Sequence, residues 1–123
     1  MCIRDRYYHN TSSSLFRESL LEMKNFTVKM NGLQETTYGL AGLGDLYVSV
    51  AGGRNSKMGY YLGLGKKYQN IKRKEMKSIT TEGCELALEI GPIIKKKFKR
   101  IQFPILFALI DAICKNQKLK IKW

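Results

Sequence analysis

The chain has 123 residues, enough for one domain with a single core and too few for a cofactor domain and a substrate domain together. A hydrophobic fraction of 44% excludes an intrinsically disordered chain, although 22 Lys and Arg against 10 Asp and Glu leave a net charge of +12. The longest apolar run, "FPILFALIDAI", is interrupted by Asp111 and falls short of the roughly 18 to 20 residues that span a bilayer.

The first six residues, "MCIRDR", lack the apolar segment of a signal peptide. They resemble the in-frame translation of a transposon mosaic-end adaptor, ATG TGT ATA AGA GAC AG. The expectation is an assembly scar on a gene broken at its 5′ side, with Met1 not a biological start. His9, beside that scar, is expected at a disordered surface without a catalytic role.

"NTSSSLFRESLLEMKNFTVKMNG" predicts an amphipathic helix over about 11 to 30, with an Asn, Thr and Ser cluster at its start and Glu18 and Glu22 in its early turns. Phe16, Leu20, Met23, Phe26 or Thr27, and Met30 keep helical spacing, and Asn31-Gly32 supplies the C-cap. A helical turn follows through "LQETTYGL". The chain then breaks at Gly39, Gly42 and Gly44 before Leu46 to Val50, a run compatible with either strand or helix.

Gly52-Gly53 marks a turn, after which Asn55 or Ser56 can cap a helix carrying Met58, Tyr61 and Leu62 and ending near Gly63 and Gly65. "KKYQNIKRKEMKSI" reads as a solvated helix that buries only Tyr68, Ile71 and Met76. "TTEGCELALEIG" predicts a helix capped by Thr80 or Thr81, with Leu86, Ala87 and Ile90 inward, closed by Gly91-Pro92. Pro104 suits the first turn of a last helix through "ILFALIDAICKN", in which Asp111 is either exposed or paired with a neighbour. The fold class is therefore all-α, in five or six helices. Residues 1–6 are set aside as the scar, 7–117 form the helical domain, and 118–123 are a basic tail.

Cys2, Cys84 and Cys114 form no CxxC pair, and the single His offers no metal-ligand spacing. They read as free thiols of a reducing compartment, Cys84 and Cys114 packed among apolar neighbours, and no metal site is expected. Met23, Met30, Met58 and Met76 fit core filling.

The basic runs at 66 to 77 and 95 to 100, each with net charge +5, support an alternative: a small basic nucleic-acid-binding module. Tyr61, Tyr68, Phe98 and Phe103 form no evident stacking platform for it, and a solvated Lys-rich surface accounts for the same charge.

Chemistry concentrates in "AGLGDLYVSVAGGRNSKMG". A helix N-terminus after Gly-Gly exposes free backbone N–H groups and a partial positive charge, and lets an anion approach without Cβ interference. Arg54 adds a forked cation suited to phosphate, and Asn55 a neutral donor. Asp45 stands nine residues earlier and can face the same pocket if the chain folds back. An anion clamp beside one acid suggests a polyol phosphate.

"GLAGLGDLYVSVAGGRNSKMGYYLGLG" closely resembles the signature of NAD(P)-dependent glycerol-3-phosphate dehydrogenase, in the helical C-terminal domain of that family. "NTSSSLFRESLLEM" resembles the preceding family helix, and "TTEGCELALEIG" is similar to the family's Val-Glu-Gly segment and the helix after it. The resemblance covers most of residues 10 to 114. It implies an all-α domain of the 6-phosphogluconate dehydrogenase-like type.

The resemblance also implies the site. Asp45 matches the Asp that contacts the substrate hydroxyls, Ser49 falls where a hydroxyl assists, and Arg54 with Asn55 match the phosphate-binding pair. Gly53 contributes only its backbone N–H there. Arg54 is also expected near the cofactor, with Glu82 matching the Glu that reaches the dinucleotide and Thr80 close by. The implied ligands are glycerol 3-phosphate or dihydroxyacetone phosphate and NAD or NADP. The implied setting is a cytoplasmic enzyme feeding glycerophospholipid synthesis, with a homodimer as one possible state of the full-length protein.

Reversible hydride transfer at carbon 2 needs a proton acceptor on the hydroxyl oxygen. In the family that group is a Lys in a Lys-Asn dipeptide well upstream of the signature. Lys24-Asn25 stands only 21 positions before Asp45, inside the helix that follows the family Lys, so the role is not carried onto it. No GxGxxG follows a strand either, and the fragment alone is expected to be inactive. Sequencing upstream of the adaptor-like codons should recover a frame with a GxGxxG strand-turn-helix and a Lys-Asn dipeptide; an unrelated or terminated frame would undo the scar reading.

Overall fold

The structure is a computed structural model and describes residues 9–122. The adaptor-like segment 1–6, Cys2 and the side chain of His9 lie outside what it describes. Among the described residues every regular element is helical: α1 (His9–Lys29), α2 (Gln34–Tyr38), a π-helical turn (Leu40–Gly44), α3 (Asp45–Ala51), α4 (Arg54–Gly63), α5 (Tyr68–Arg73), α6 (Glu82–Lys97) and α7 (Pro104–Cys114). The all-α expectation holds. Leu46 to Val50, compatible with either state, is helical and lies within α3.

The core is built around α7, which buries Ile105, Phe107, Ala108, Ile110, Ala112 and Ile113. Toward its C-terminal end Ala112 and Ile113 join Met58 and Leu62 of α4, Ile71 of α5, Met76 and Cys84. A second cluster gathers Ile94 of α6 with Phe103, Phe107 and Ile110, and Phe26 of α1 packs against it. Phe26, Phe98 and Phe103 interlock there, with ring centroids 5.2 to 5.9 Å apart in edge and tilted geometries.

The predicted end of α1 at Asn31-Gly32 holds, whereas the predicted ends of α5 and α6 move. Helix α1 turns off at Asn31, which takes φ 63°, and Met30 beyond its end is 49% exposed beside Lys97 instead of filling the core. Met58 and Met76 are buried, and Met23 is half-buried. The predicted helix over 66 to 79 stops at Arg73. Ile71 and Met76 are five residues apart, about 140° out of register on a helix, so breaking the helix is what brings both to 0% exposure.

Helix α6 does not close at Gly91-Pro92 but runs on to Lys97. A mid-helix proline forfeits one hydrogen bond and crowds the preceding turn. Here the surrounding turns are held by packing: Gly91 lies against α7 so closely that a Cβ would sit 3.0 Å from Cys114 Sγ and Ile110 Cγ2, and Ile94 is buried one turn on. Cys84, Ala87, Gly91 and Ile94 thus form the inward stripe, which leaves Leu86, expected inward, 54% exposed. Cys84 is buried, and its burial pushes the thiol up to about 11. Cys114 is half-buried and donates to the Ala87 carbonyl at 3.2 Å.

Two acids tie the core together across long stretches of chain. Glu22 serves no early turn of its own helix: it lies midway along α1, and its carboxylate accepts the N–H groups of Ile105 and Leu106 at 2.7 and 3.0 Å, capping α7. Burial raises the Glu22 carboxyl above its ordinary value, against the pull of those two N–H groups.

Asp111 resolves as paired. It accepts from Lys95 and Arg100, with Lys115 at 3.8 Å, and its side chain is 13% exposed. Burial disfavours its charge, but the bonds and charges of Lys95 and Arg100 outweigh that and hold the carboxyl below its ordinary value of 3.8. A depressed acid stabilises the fold above its unfolded value, and that contribution is lost as pH falls through the lower folded value. Asp111→Asn should cost roughly 1 to 3 kcal/mol at pH 7 in urea denaturation, and the deficit should shrink as pH drops below 3.8. A deficit that stays constant with pH would refute the assignment.

Candidate functional site

The glycine-rich segment folds as two tight connections. In the first, Gly44 N–H bonds to Gly39 O at 3.2 Å, closing the wider π-helical turn. Gly42 presses on the preceding helix there, since a Cβ would sit 2.1 Å from the Thr37 carbonyl oxygen. In the second, Gly53 takes φ 103°, a conformation that favours glycine, and its carbonyl accepts the first bond of α4 from Lys57 N–H at 3.0 Å. Gly53, not Asn55 or Ser56, is therefore the N-cap of α4. The N–H groups of Arg54, Asn55 and Ser56 stay outside the helix ladder.

That N-terminus faces the N-terminus of α6. Arg54 pairs with Glu82, both side chains a little over half exposed. Asn55 Oδ1 accepts the Gly83 N–H at 3.2 Å. Arg54, expected from the resemblance at the phosphate, thus meets Glu82, expected at the dinucleotide, and Asn55 joins Gly83 beside them, each pair across 28 positions of sequence.

The remaining expected residues are not bonded to this pair. Asp45 opens α3 exposed and makes no ion pair among the described residues, and Ser49, one turn along, is half-buried. Thr80 is exposed just before α6. Thr81 takes the N-cap position of α6, yet its hydroxyl is buried and makes no hydrogen bond. Gly83 falls on the Gly of the Val-Glu-Gly segment in the resemblance, which gives it no role of its own.

Beneath Asn55 and Gly83 lies an apolar cleft of about 230 Å³ between α4, α6 and α7, lined by Met58, Leu62, Cys84 and Ile113 among others. The site therefore has a charged rim of Arg54 and Glu82 over an apolar floor. Paired N–H groups, a guanidinium and a carboxamide suit an oxyanion with several oxygens. Among the described residues no group of three His, Cys, Asp or Glu could hold a metal ion, and no helix is long and apolar enough to cross a membrane.

Comparison with known proteins identifies the family. The family described as NAD-dependent glycerol-3-phosphate dehydrogenase C-terminus matches residues 1–122. Among relatives named glycerol-3-phosphate dehydrogenase (NAD(P)+), one from Lactobacillus delbrueckii subsp. bulgaricus is 31% identical over 109 residues, 87% of this chain and 31% of the relative. One from Zymomonas mobilis is 29% identical over 107 residues, covering 85% and 30%. One from Fusobacterium nucleatum is 44% identical over 62 residues, covering 49% and 18%. The chain thus spans under a third of the length of these relatives. No solved structure matches. With the match running from residue 1 to 122, the chain belongs to the NAD-dependent glycerol-3-phosphate dehydrogenase C-terminal family.

Proposed function

We propose that this chain is the substrate-holding part of an enzyme that reversibly oxidises sn-glycerol 3-phosphate to dihydroxyacetone phosphate with NAD or NADP. The observation that carries this reading is the docking of Arg54 and Asn55, at a helix N-terminus with free N–H groups, onto Glu82 and Gly83 in a chain matched by the family almost end to end. A phosphate ester would take the α4 N-terminus, Arg54 and the Asn55 amide. Asp45 and Ser49, one helix earlier, would address the hydroxyl end.

Glu82 suits a dinucleotide because a half-exposed carboxylate at this rim can accept from sugar hydroxyls. When bound, the nicotinamide supplies the hydride acceptor. The residues of this chain bind and orient: Arg54 is shared between Glu82 and the phosphate, which fixes its fork toward both ligands. No residue described here is assigned the proton transfer. The reading places the protein in the cytoplasm, in supply of glycerophospholipid precursors.

Two of the four aromatics weighed for the nucleic-acid alternative are committed to the core. Phe103 is fully buried, and Phe98 packs on it and on Phe26.

Titration of the 123-residue chain with glycerol 3-phosphate, by calorimetry with and without NAD+, tests the reading. Arg54→Ala should weaken binding by about tenfold or more, the loss of one charge-assisted contact. Equal affinity in the variant, or no binding by the parent chain, would overturn it.

A further inference from the structure

Helix α6 is capped from outside. Its own N-cap residue, Thr81, leaves the hydroxyl buried and unbonded, and the N–H of Gly83 in the first turn is taken instead by Asn55 Oδ1 of α4. A carboxamide has one accepting end and one donating end. Committing the oxygen to Gly83 leaves Nδ2, with both its hydrogens, as the end with no hydrogen-bond partner among the described residues.

We propose that Gly83 is a positioning residue: its backbone N–H locks the Asn55 carboxamide so that the amide nitrogen, not the oxygen, is presented beside Arg54 to the phosphate of the ligand. This rests on the phosphate-ester reading of the Arg54–Asn55 pair. Without the lock the carboxamide can turn over and offer its oxygen, which repels an anion and leaves the ligand one donor short.

The geometry also explains why residue 83 has no side chain. A Cβ there would sit 2.9 Å from Asn55 Oδ1 and 3.3 Å from its Cγ. The carboxamide would have to move away, and the bond that orients it would lengthen. Asn55 is thereby a hinge between the two ligand halves of the rim, since the same bond fixes the helix start that carries Glu82.

Three variants separate orientation from folding. Asn55→Asp keeps an acceptor for Gly83 N–H, and its charge favours the α6 N-terminus, but it replaces the donor with a second oxygen. Amide exchange followed by NMR should show Gly83 as protected in Asn55→Asp as in the parent chain, while glycerol 3-phosphate affinity falls at least tenfold. Asn55→Ala should lose both the protection and the affinity. Gly83→Ala, with Arg54 and Asn55 untouched, should bind several-fold more weakly while remaining folded by circular dichroism.

Unchanged Gly83 exchange in Asn55→Ala, or full affinity in Asn55→Asp or Gly83→Ala, would overturn the proposal alone. Absence of ligand binding by the parent chain would overturn the function reading and the ligand role of the lock together.

Discussion

The burial of α7 is the constraint on which the candidate site depends. Its apolar residues form the meeting ground of two clusters, one reaching α4 and α5 and the other α6 and α1. Because Met58 and Leu62 of α4 and Cys84 of α6 share a cluster with Ala112 and Ile113, the starts of α4 and α6 are brought side by side. The charged rim inherits its spacing from this apolar floor. Burying a large apolar side chain contributes about 1.5 to 3 kcal/mol, whereas an exposed ion pair contributes about 0 to 1. The Arg54–Glu82 pair therefore reports the packing and does not create it.

Polar groups do their structural work at helix ends. Glu22 holds the start of α7, Asn55 the start of α6, and Asp111 gathers Lys95 and Arg100 where α6 and the loop after it pass α7. In each case a polar side chain from one helix ties together elements that are separate in sequence. This is how a chain with a net charge of +12 keeps its few acids productive. Much of the remaining Lys and Arg stands on exposed positions.

What was legible in the sequence was local. The 3.6-residue spacing of Phe16, Leu20 and Met23 located α1, Pro104 located the start of α7, and Gly-Gly before Arg54 located the start of α4. The signature shared with a family also singled out Arg54, Asn55 and Glu82, which the fold brings to one rim. The bonds from Glu22 to Ile105 and from Asn55 to Gly83 were not, because they cross 83 and 28 positions and leave no periodic trace. Pro92 misled for a related reason: local preference argued for a stop, and packing at Gly91 and Ile94 on either side overrode it. Leu86 was misplaced because a helix face is chosen by its neighbour as well as by its own pattern, and Met30 because it falls just past the end of α1.

Exposed apolar side chains bear on the behaviour of the chain as a solute. Along α2, the π-helical turn and α3, Leu33, Tyr38, Leu40, Tyr47 and Val48 stand exposed, Leu40 at 90%. Gly42 packs directly on the Thr37 backbone, which seats the π-helical turn tightly on α2. The chain thus carries exposed apolar side chains alongside a strong positive charge, and mutual repulsion between molecules is what opposes contact through them. Added salt shortens the reach of that repulsion while leaving the apolar attraction intact. Colloidal stability of the isolated chain is accordingly a balance set by ionic strength.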